Sequence, residues 1–465
     1  MIKQLFILAL VSFSFSQEIY TEHLIMGGDT LDIFSYQIPE FYDESYPCPL
    51  LVVFHQWGGN ENSTYYTAFD EEANDRGWIF LSPYGGSSNN YNHQGAQEMV
   101  KNEIIWMMEN YNINSNQIYM VGGSMGGASG MIYANNHLDP SEPMIAATAS
   151  GSGILDCERR AIEMDGNNSM IEWFGGNWDE VPFEYHRNSA IYFNNLDQSM
   201  HRNLEYTPLY FDFGVSETHR IHAEEMYEIM LEYNSDMWID TDPTGSHGFS
   251  VMDENHVCDW LSEFTLITDP LDINLKLDQP GKAYWIQAIN QIDSLDFISI
   301  EATRNEDSLI IYNFENSDSL ILNILNQNID SYQINSMVSI NKLGLSGELL
   351  NNLQMDDFYL QMINDAGLEL EYTIDSNTIW LEHYGLPPYE LPFYGSFNLI
   401  FEVSEILDGD VNQDGASDIL DIILMVNHIV GSTLLTDIEF QIADINGDSS
   451  IDIMDIVLLV NTIIN

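Results

Sequence analysis

A serine flanked by glycines is the first candidate for chemistry in this sequence. Ser124 follows Gly122 by two positions and precedes Gly126 by two, which fits the pattern G-x-S-x-G. The stretch QIYMV before it predicts a strand, and ASGMIYANN after it predicts a helix. In that context the glycines permit a sharp turn that exposes the serine hydroxyl. We therefore predict that Ser124 is a nucleophile; the alternative is a glycine-rich turn with an idle serine.

A serine hydroxyl needs a base and an orienting acid to act as a nucleophile. In strand-turn-helix sites of this kind, the acid and then the histidine follow the serine along the chain. Glu217 comes just after the apolar run PLYFDF and is the predicted acid, with Asp212 inside that run as its competitor. His247 lies in the glycine-flanked loop TDPTGSHGFS and is the predicted general base. The histidines that compete with it are His219, His222 and His256.

Attack on a carbonyl group also requires N–H groups that stabilise the oxyanion. Met125, the residue after the serine, is predicted to supply one of them. The loop FHQWGGN is predicted to supply the other from Gln56 or Trp57. Gly58 and Gly59 in the same loop allow the backbone to approach closely. The Trp57 side chain either forms the base of an aromatic-binding cleft or is a packing residue.

Two acidic segments near residue 430 repeat each other, DVNQDGASDILD and DINGDSSIDIMD, and an apolar helical run follows each. Side-chain oxygens recur at loop positions 1, 3, 5, 9 and 12, and calcium prefers such ligands. The predicted ligands are Asp410, Asn412, Asp414, Asp418 and Asp421 in the first loop, and Asp444, Asn446, Asp448, Asp452 and Asp455 in the second. Position 6 is Gly415 in one loop and Ser449 in the other, which could strain the second turn. We expect two structural calcium ions and no cofactor for catalysis.

The elements that must position these residues fall into successive regions. Apolar runs that alternate with amphipathic stretches predict an α/β domain over residues 17–268, with a mostly parallel sheet covered on both faces. Short alternating strands separated by Asn, Asp and Ser turns predict a β-sandwich-like accessory domain over 274–405. The calcium repeats form a third domain over 406–465. An aromatic-rich insert, from about residue 150 to 205, is expected to overhang the site.

The charge of the chain restricts its partners. It has 73 Asp and Glu against 12 Lys and Arg, a formal net charge of -61. Such a field repels nucleic acid and anionic lipid. Residues 1–16 predict a signal peptide cut before Gln17, and hence an exported protein. No later stretch is long and apolar enough to span a membrane.

The three cysteines are too few for a disulfide framework. One bond between Cys157 and Cys258 stays open as an alternative to free thiols. Cys48 adjoins the apolar run PLLVVF and is expected to be a buried thiol.

The combination of PLLVVFHQWGGN, DRGWIFLSPYG, NQIYMVGGSMGG and GSHGF resembles secreted α/β-hydrolase esterases of the feruloyl esterase and polyhydroxybutyrate depolymerase-like group. The resemblance covers about residues 30–266 and implies hydrolysis of carboxylic esters through Ser124, His247 and an acid. The segment IEWFGGNWDEVPFEYHRNSAIYF is also similar to prolyl-oligopeptidase-like hydrolases. Two departures are His55-Gln56 in place of histidine-glycine in the oxyanion loop, and glutamate in place of aspartate at Glu217.

The calcium repeats resemble a type I dockerin, which uses Asp at position 12 and one helix after each loop. The resemblance implies a cohesin-type protein partner and, because dockerins accompany polymer-degrading enzymes, a polysaccharide ester as substrate. Positions 10 and 11 help select the partner in dockerins; here they are Ile419, Leu420, Ile453 and Met454, which either face a partner or pack the two helices together. The competing functions are a polyester hydrolase, a prolyl-oligopeptidase-like peptidase and a non-catalytic adhesion or scaffold protein.

Overall fold

The computed structural model describes most of the chain downstream of the predicted signal peptide, and residues 1–16 lie outside it. The described residues are 17–165, 168–325, 331–347, 358–364, 372–375, 378–381, 392–403, 409, 411–412, 417–432, 434–435, 437–446 and 450–464. Within these ranges, every helix is too short or too polar to cross a membrane.

An eight-stranded sheet forms the centre of the first part of the chain. Its strands are β1 (Tyr20–Met26), β2 (Asp29–Gln37), β3 (Cys48–Phe54), β4 (Ile79–Pro83), β5 (Ile113–Gly123), β6 (Ala147–Gly151), β7 (Leu209–Asp212) and β8 (Met237–Ile239). The spatial order is β1-β2-β4-β3-β5-β6-β7-β8. The pairs β1–β2 and β2–β4 are antiparallel, and the remaining pairs are parallel. This is the α/β-hydrolase fold, so the predicted fold class is confirmed.

Helices cover both faces of this sheet. They are α1 (Phe69–Arg76), α2 (Gln94–Asn110), α3 (Ser129–Asn136), α4 (Cys157–Glu163), α5 (Met170–Phe174), α6 (Pro182–Arg187), α7 (Arg220–Met230) and α8 (Glu254–Leu261). Strand β3 shows why two layers are needed. Leu50 and Val52 enter one hydrophobic core, whereas Leu51 and Val53 enter the core on the opposite face. A strand that is apolar on both faces is stable only when both faces are covered.

Two six-stranded sheets follow. Their strands are β9 (Asp272–Leu277), β10 (Gly281–Ala283), β11 (Ile286–Ala288), β12 (Ile298–Arg304), β13 (Ser308–Glu315), β14 (Ser319–Asn323), β15 (Ser331–Ile340), β16 (Lys342–Ser346), β17 (Phe358–Asn364), β18 (Tyr372–Asp375), β19 (Thr378–Leu381) and β20 (Phe393–Val403). One sheet has the order β10-β11-β14-β16-β19-β18, and the other has β17-β20-β15-β13-β12-β9. Residues of both sheets share one hydrophobic core, as in a sandwich.

The observed strands of this region differ from the predicted strands in two ways. The stretch AYWIQAIN, one of the short alternating strands expected from the sequence, is not a single strand. It contributes to both β10 and β11, because Tyr284 adopts a left-handed φ of 53° and turns the chain. Strands β9, β15 and β16, and β1 in the first sheet, were not predicted. Strand β9 begins at Asp272, in the stretch expected to link two domains, and pairs with β12.

In the described residues of the calcium repeats, the structure has three helices, α9 (Ile419–Ile429), α10 (Asp437–Ala443) and α11 (Ile453–Ile464). The first and third are the helices that the sequence predicted after each acidic loop. Helix α10 lies between the repeats and was not predicted. A small core joins the three, with Val411, Met425 and Leu459 fully buried.

All three cysteines are free thiols, so the open Cys157–Cys258 bond is not formed. The two residues belong to different hydrophobic clusters, one under the insert and one beneath α8. Burial raises the pKa of each thiol to about 12, which keeps both protonated. Cys48 is only half-buried, contrary to the prediction of a buried thiol.

Candidate active site

Ser124 lies at the turn between β5 and the helical segment that leads into α3. Its φ of 58° is left-handed, and its N–H donates to the Gly151 carbonyl at 2.8 Å. A Cβ added to Gly122 would collide with the Gly126 carbonyl oxygen. A Cβ on Gly126 would lie 2.6 Å from the carbonyl oxygens of Phe54 and His55. The turn therefore requires glycine at both positions, and it packs directly against the end of β3.

His247 connects the serine to a carboxylate. Its Nε2 lies 2.7 Å from Ser124 Oγ, and its Nδ1 lies 2.6 Å from Glu217 Oε2. Because Nδ1–H donates to the carboxylate, Nε2 carries the lone pair that accepts the serine proton. The His247 side chain is 40% exposed, whereas that of Glu217 is 7% exposed. The histidine is thus reachable from solvent and the acid beneath it is not.

Hydrogen bonds keep Glu217 ionised. Burial alone would raise the pKa of this carboxyl group, but hydrogen bonds from His247, Ser152 and the Gly214 N–H outweigh burial and hold the pKa below its usual value. The Gly214 N–H donates to Oε1 at 2.7 Å. An ionised glutamate at this position can orient the imidazole and stabilise its protonated form.

Asp212, the competing acid, is the last residue of β7 and is buried. Its Oδ1 accepts the N–H of Phe213 at 2.8 Å. Burial, together with the negative charge of Asp240, raises its pKa to about 7. Among the described residues, no hydrogen bond joins Asp212 to His247, so the structure brings Glu217 to the histidine instead.

The competing histidines do not contact the serine. The His219 ring lies beside His247, with 5.6 Å between ring centroids. His222 is fully buried, and its Nδ1 accepts the N–H groups of Leu155 and Asp156. His256 packs against aromatic rings at the end of the sheet. Within the described part of the chain, His247 is the only histidine that hydrogen-bonds the Ser124 hydroxyl.

Three backbone N–H groups are available for an oxyanion. Those of Met125, Gln56 and Trp57 donate to no acceptor in the described residues. The Gln56 carbonyl accepts the Gly59 N–H at 2.9 Å, which fixes the turn of the loop. The Gln56 side chain lies against Gly248, where any added Cβ would collide with it. Trp57 is 60% exposed, so the packing role considered for it does not fit.

A loop that the sequence reasoning missed supports Met125. It spans residues 84–93, and Tyr91 and Asn92 both have left-handed φ angles, of 46° and 55°. The Asn92 side chain donates to the Met125 carbonyl at 3.2 Å and accepts the Ser129 hydroxyl. The Tyr91 N–H donates to the Met125 Sδ at 3.4 Å. The signal in the sequence was a Gly-, Ser- and Asn-rich stretch directly after the β4 strand.

The aromatic-rich insert packs on the same residues. Met170, Phe174 and Tyr185 from the insert form one buried cluster with Tyr91 and Met125. Part of the insert therefore lies beside the residue that follows Ser124.

The two acidic loops share one hydrogen-bond pattern. Asp421 Oδ1 accepts the Asn412 N–H at 2.9 Å, and its Oδ2 accepts the Asp418 N–H at 2.7 Å. Asp455 accepts the N–H groups of Asn446 and Asp452 in the same way, at 3.1 and 2.9 Å. Asp444 lies at the start of the second loop and is half-buried. The other predicted ligands and the two residues at position 6 lie outside the described residues: Asp410, Asp414, Asp448, Gly415 and Ser449.

The carboxylates at loop position 12, Asp421 and Asp455, are fully buried. The other predicted ligands in the two loops are also side-chain oxygens, which a hard cation such as calcium prefers. The four residues at positions 10 and 11 face outward. Ile419 and Ile453 are 68% and 71% exposed, and Leu420 and Met454 are 50% and 55% exposed. They do not pack the two helices together.

Comparisons with known proteins follow the same division of the chain. Residues 408–464 match the model of the Dockerin type I domain. No curated protein matches the sequence. Similar solved structures include S-formylglutathione hydrolase FrmB from Staphylococcus aureus, with 14% identity and a TM-score of 0.42, and the serine hydrolase FphF from the same organism, with 13% and 0.40. Each comparison covers 53% of this chain and 98% of the other.

A ferulic acid esterase is also similar, with 14% identity, a TM-score of 0.38, and coverage of 54% of this chain and 96% of that protein. Identities this low transfer no activity. The match to the dockerin model confirms the resemblance predicted from the acidic repeats. The chain thus combines an α/β-hydrolase fold with a type I dockerin domain at residues 408–464.

Proposed function

We propose that the α/β domain is a serine esterase that cleaves carboxylic esters. The observation that carries the proposal is the unbroken chain of hydrogen bonds from Ser124 through His247 to Glu217, at 2.7 and 2.6 Å. In this scheme Ser124 is the nucleophile, His247 the general base and Glu217 the orienting acid.

The reaction proceeds in two halves. Ser124 Oγ attacks the ester carbonyl while His247 Nε2 takes its proton, and Glu217 stabilises the imidazolium that forms. The histidine then gives the proton to the leaving alcohol, which leaves an acyl group on the serine. A water molecule, activated by the same nitrogen, releases the acid. The unpaired N–H of Met125, together with that of Gln56 or Trp57, stabilises the oxyanion in both halves.

We further propose that the substrate is an ester of a polysaccharide, feruloylated or acetylated, and that the enzyme acts outside the cell, secreted or attached to its surface. The dockerin domain supports this by association with polymer-degrading enzymes. The exposed side chain of Trp57, within the oxyanion loop, offers a surface on which a sugar or an aromatic ring can stack. A polyester hydrolase and a peptidase use the same triad, and a non-catalytic adhesion or scaffold protein would use none of it.

The dockerin domain is proposed to hold two calcium ions through its acidic loops and to bind a cohesin-type protein. The two pairs of exposed apolar residues at positions 10 and 11 support such an interface, because neighbouring exposed apolar side chains on a protein surface mark interaction sites. We also propose that one domain ends and the next begins after residues 16, 268 and 405.

The test measures hydrolysis of a neutral short-chain ester, then of methyl ferulate, acetylated xylan, polyhydroxybutyrate and a dipeptide amide. Ser124→Ala is expected to lower kcat by roughly a thousandfold or more with an unchanged melting temperature. Glu217→Gln should reduce kcat strongly, and Asp212→Asn, the matched control at the end of the same strand, should reduce it little. A wild-type protein inactive on every ester would favour the adhesion or scaffold function.

A further inference from the structure

Four buried side-chain nitrogens of the described residues, on α4 and at the start of α7, have no hydrogen-bond partner. In the described part of the chain, these buried atoms, which form no hydrogen bond, are Arg159 Nη1, Arg160 Nε, His219 Nδ1 and His222 Nε2. The His219 ring is the neighbour of His247, at 5.6 Å between centroids. Buried polar atoms without partners are rare and costly. A group of them at one place therefore suggests a ligand.

The hydrogen bonds of His222 indicate the sign of the charge on that ligand. Its Nδ1 accepts the backbone N–H groups of Leu155 and Asp156 at 3.2 and 3.3 Å, so the lone pair lies on Nδ1. Burial lowers the pKa of His222 to about 3, and the neutral ring places its one proton on Nε2. Nε2 is therefore a donor, and it lacks the lone pair that a metal ion needs. Two arginines in the same cluster also disfavour a cation.

Glu163, the last residue of α4, shows that a carboxylate fits among these groups. Its Oε2 lies 3.2 Å from Arg160 Nη1 and 3.7 Å from His219 Nδ1. Its carboxylate, a His219 nitrogen and a His222 nitrogen all lie within 4.8 Å of one another. Only the arginine hydrogen-bonds this carboxylate, so the two histidine nitrogens stay unpaired. Glu163 is 32% exposed and Arg160 23%, so a ligand can reach them from solvent.

We propose that this cluster binds a carboxylate of the substrate, and that the ester is carried by an acidic sugar such as an acetylated uronic acid residue. The inference rests on the proposed esterase function of Ser124 and narrows its substrate class. A substrate carboxylate that displaces Glu163 would pair with Arg160, His219 and His222 while the ester lies at His247. In a chain with 12 Lys and Arg against 73 Asp and Glu, Arg160 supplies at this site the positive charge that an acidic polymer requires.

The experiment uses the full-length protein and two probes. Equilibrium binding of glucuronate and of glucose is measured by calorimetry, and kcat/KM is compared for an acetylated methyl glucuronoside and the corresponding glucoside. Wild-type protein should bind glucuronate in preference to glucose. Arg160→Gln should lower two ratios about tenfold each: the affinity for glucuronate over glucose, and kcat/KM for the glucuronoside over the glucoside. A tenfold loss is typical when one charged hydrogen bond is removed. Glu163→Gln should raise both ratios, because it removes the resident carboxylate.

Arg202→Gln is the matched control. Arg202 pairs with Glu205 at 2.9 Å with the same i,i+3 spacing and a similar exposure, but it lies over Tyr233 beyond the other end of α7. It should change neither preference, and melting temperatures should show that all three variants fold.

The outcomes separate the two proposals. Ester hydrolysis without any response to Arg160→Gln and Glu163→Gln would overturn the carboxylate site and leave the esterase. Glucuronate binding that depends on Arg160, without hydrolysis of any ester, would support the carboxylate site and overturn the esterase proposal. Zinc binding that His222→Gln abolishes would show a metal site in place of a carboxylate site.

Discussion

Glu217 and Asp212 lie near the end of one strand, and their surroundings give them opposite responses to pH. The pKa of Glu217 is held below the usual 4.5 by hydrogen bonds that outweigh burial. The pKa of Asp212 is raised from 3.8 to about 7 by burial and by Asp240. Near neutral pH, Glu217 carries the full charge that a histidine needs, whereas Asp212 is about half protonated. This difference agrees with the hydrogen bond from His247 to Glu217, on which the choice of acid rests.

The same difference predicts how stability depends on pH. The stabilising effect of a protonated Asp212 is fully present below about pH 3.8 and is lost as the pH rises through 7. Asp212→Asn keeps the neutral form at every pH, so its melting temperature should rise relative to wild type between pH 4 and pH 8. The measurement is thermal unfolding across that range.

Glu217→Gln provides the comparison of opposite sign. Its ionised form stabilises the fold above about pH 4.5, and that contribution is lost as the pH falls through the lowered pKa. The variant should therefore be less stable than wild type at pH 7 and should approach it as the solution is acidified. Parallel pH curves for the two variants would contradict both assignments.

At the scale of elements, the sequence alone predicted the glycine-rich turn and the two loops that carry Glu217 and His247, because each has a local signature. Ser124 follows a strand and precedes a helix within a few residues, and the order of its partners follows from the fold class. The support from residues 84–93 was not accessible, because it depends on contacts with Met125 more than 30 positions away. Two left-handed residues in succession leave no pattern that periodicity can detect.

Strand β15 was missed for a different reason. Its inward side includes Ser336, whose hydroxyl donates to the Val338 carbonyl at 2.7 Å, so the apolar alternation of the strand is interrupted. The pairing of β15 with β13 and β20 decides its conformation, and those partners are distant in sequence. Long-range pairing, rather than local propensity, makes this segment a strand.

The loop at residues 84–93 leads to a prediction for catalysis. Asn92 holds the carbonyl of Met125, and thereby positions the residue whose own N–H is proposed to bind the oxyanion. Asn92→Gly removes the side chain without backbone strain, because glycine adopts a φ of 55° freely. We expect kcat for a neutral ester to fall about tenfold or more with KM little changed, since oxyanion interactions act in the transition state.

Asn316→Gly is the control for that variant. Asn316 also has a left-handed φ, of 58°, and its side chain donates to two backbone carbonyls, those of Asp293 and Asp296, in the β-rich region. It should lose a similar amount of stability without loss of kcat. Equal kcat values for Asn92→Gly and wild type would remove this loop from the catalytic scheme.

At the scale of the whole molecule, the parts of the chain differ in what holds them together. The β-rich region shares its hydrophobic core with Leu138 and Met144 of the α/β domain, and Arg187 donates to Asp278 across the same boundary at 2.8 Å. Among its described residues, the dockerin domain has a core of five buried hydrophobic side chains. Residues 406–465 contain 11 acidic side chains and no lysine or arginine. Their mutual repulsion opposes folding unless cations neutralise it.

Calcium should therefore stabilise the dockerin domain without changing the hydrolase. When calcium is titrated into the chelated full-length protein, the helix signal should rise and a separate low-temperature unfolding transition should move upward, because carboxylates bound to the ion no longer repel one another. Hydrolysis of a neutral ester should stay constant through the titration. Magnesium at equal concentration should do less, since it retains water ligands.

Paired substitutions connect this response to the acidic loops. Asp421→Asn and Asp455→Asn each replace a buried carboxylate whose two oxygens accept backbone N–H groups, so each should weaken calcium affinity and lower the first transition. Because the two loops have the same hydrogen bonds, the two variants should behave alike, and the double variant should lose the response. A helix signal that is flat in calcium would refute the proposed ions while leaving the esterase proposal intact. Loss of ester hydrolysis in step with the helix signal would show instead that the dockerin domain supports the active site.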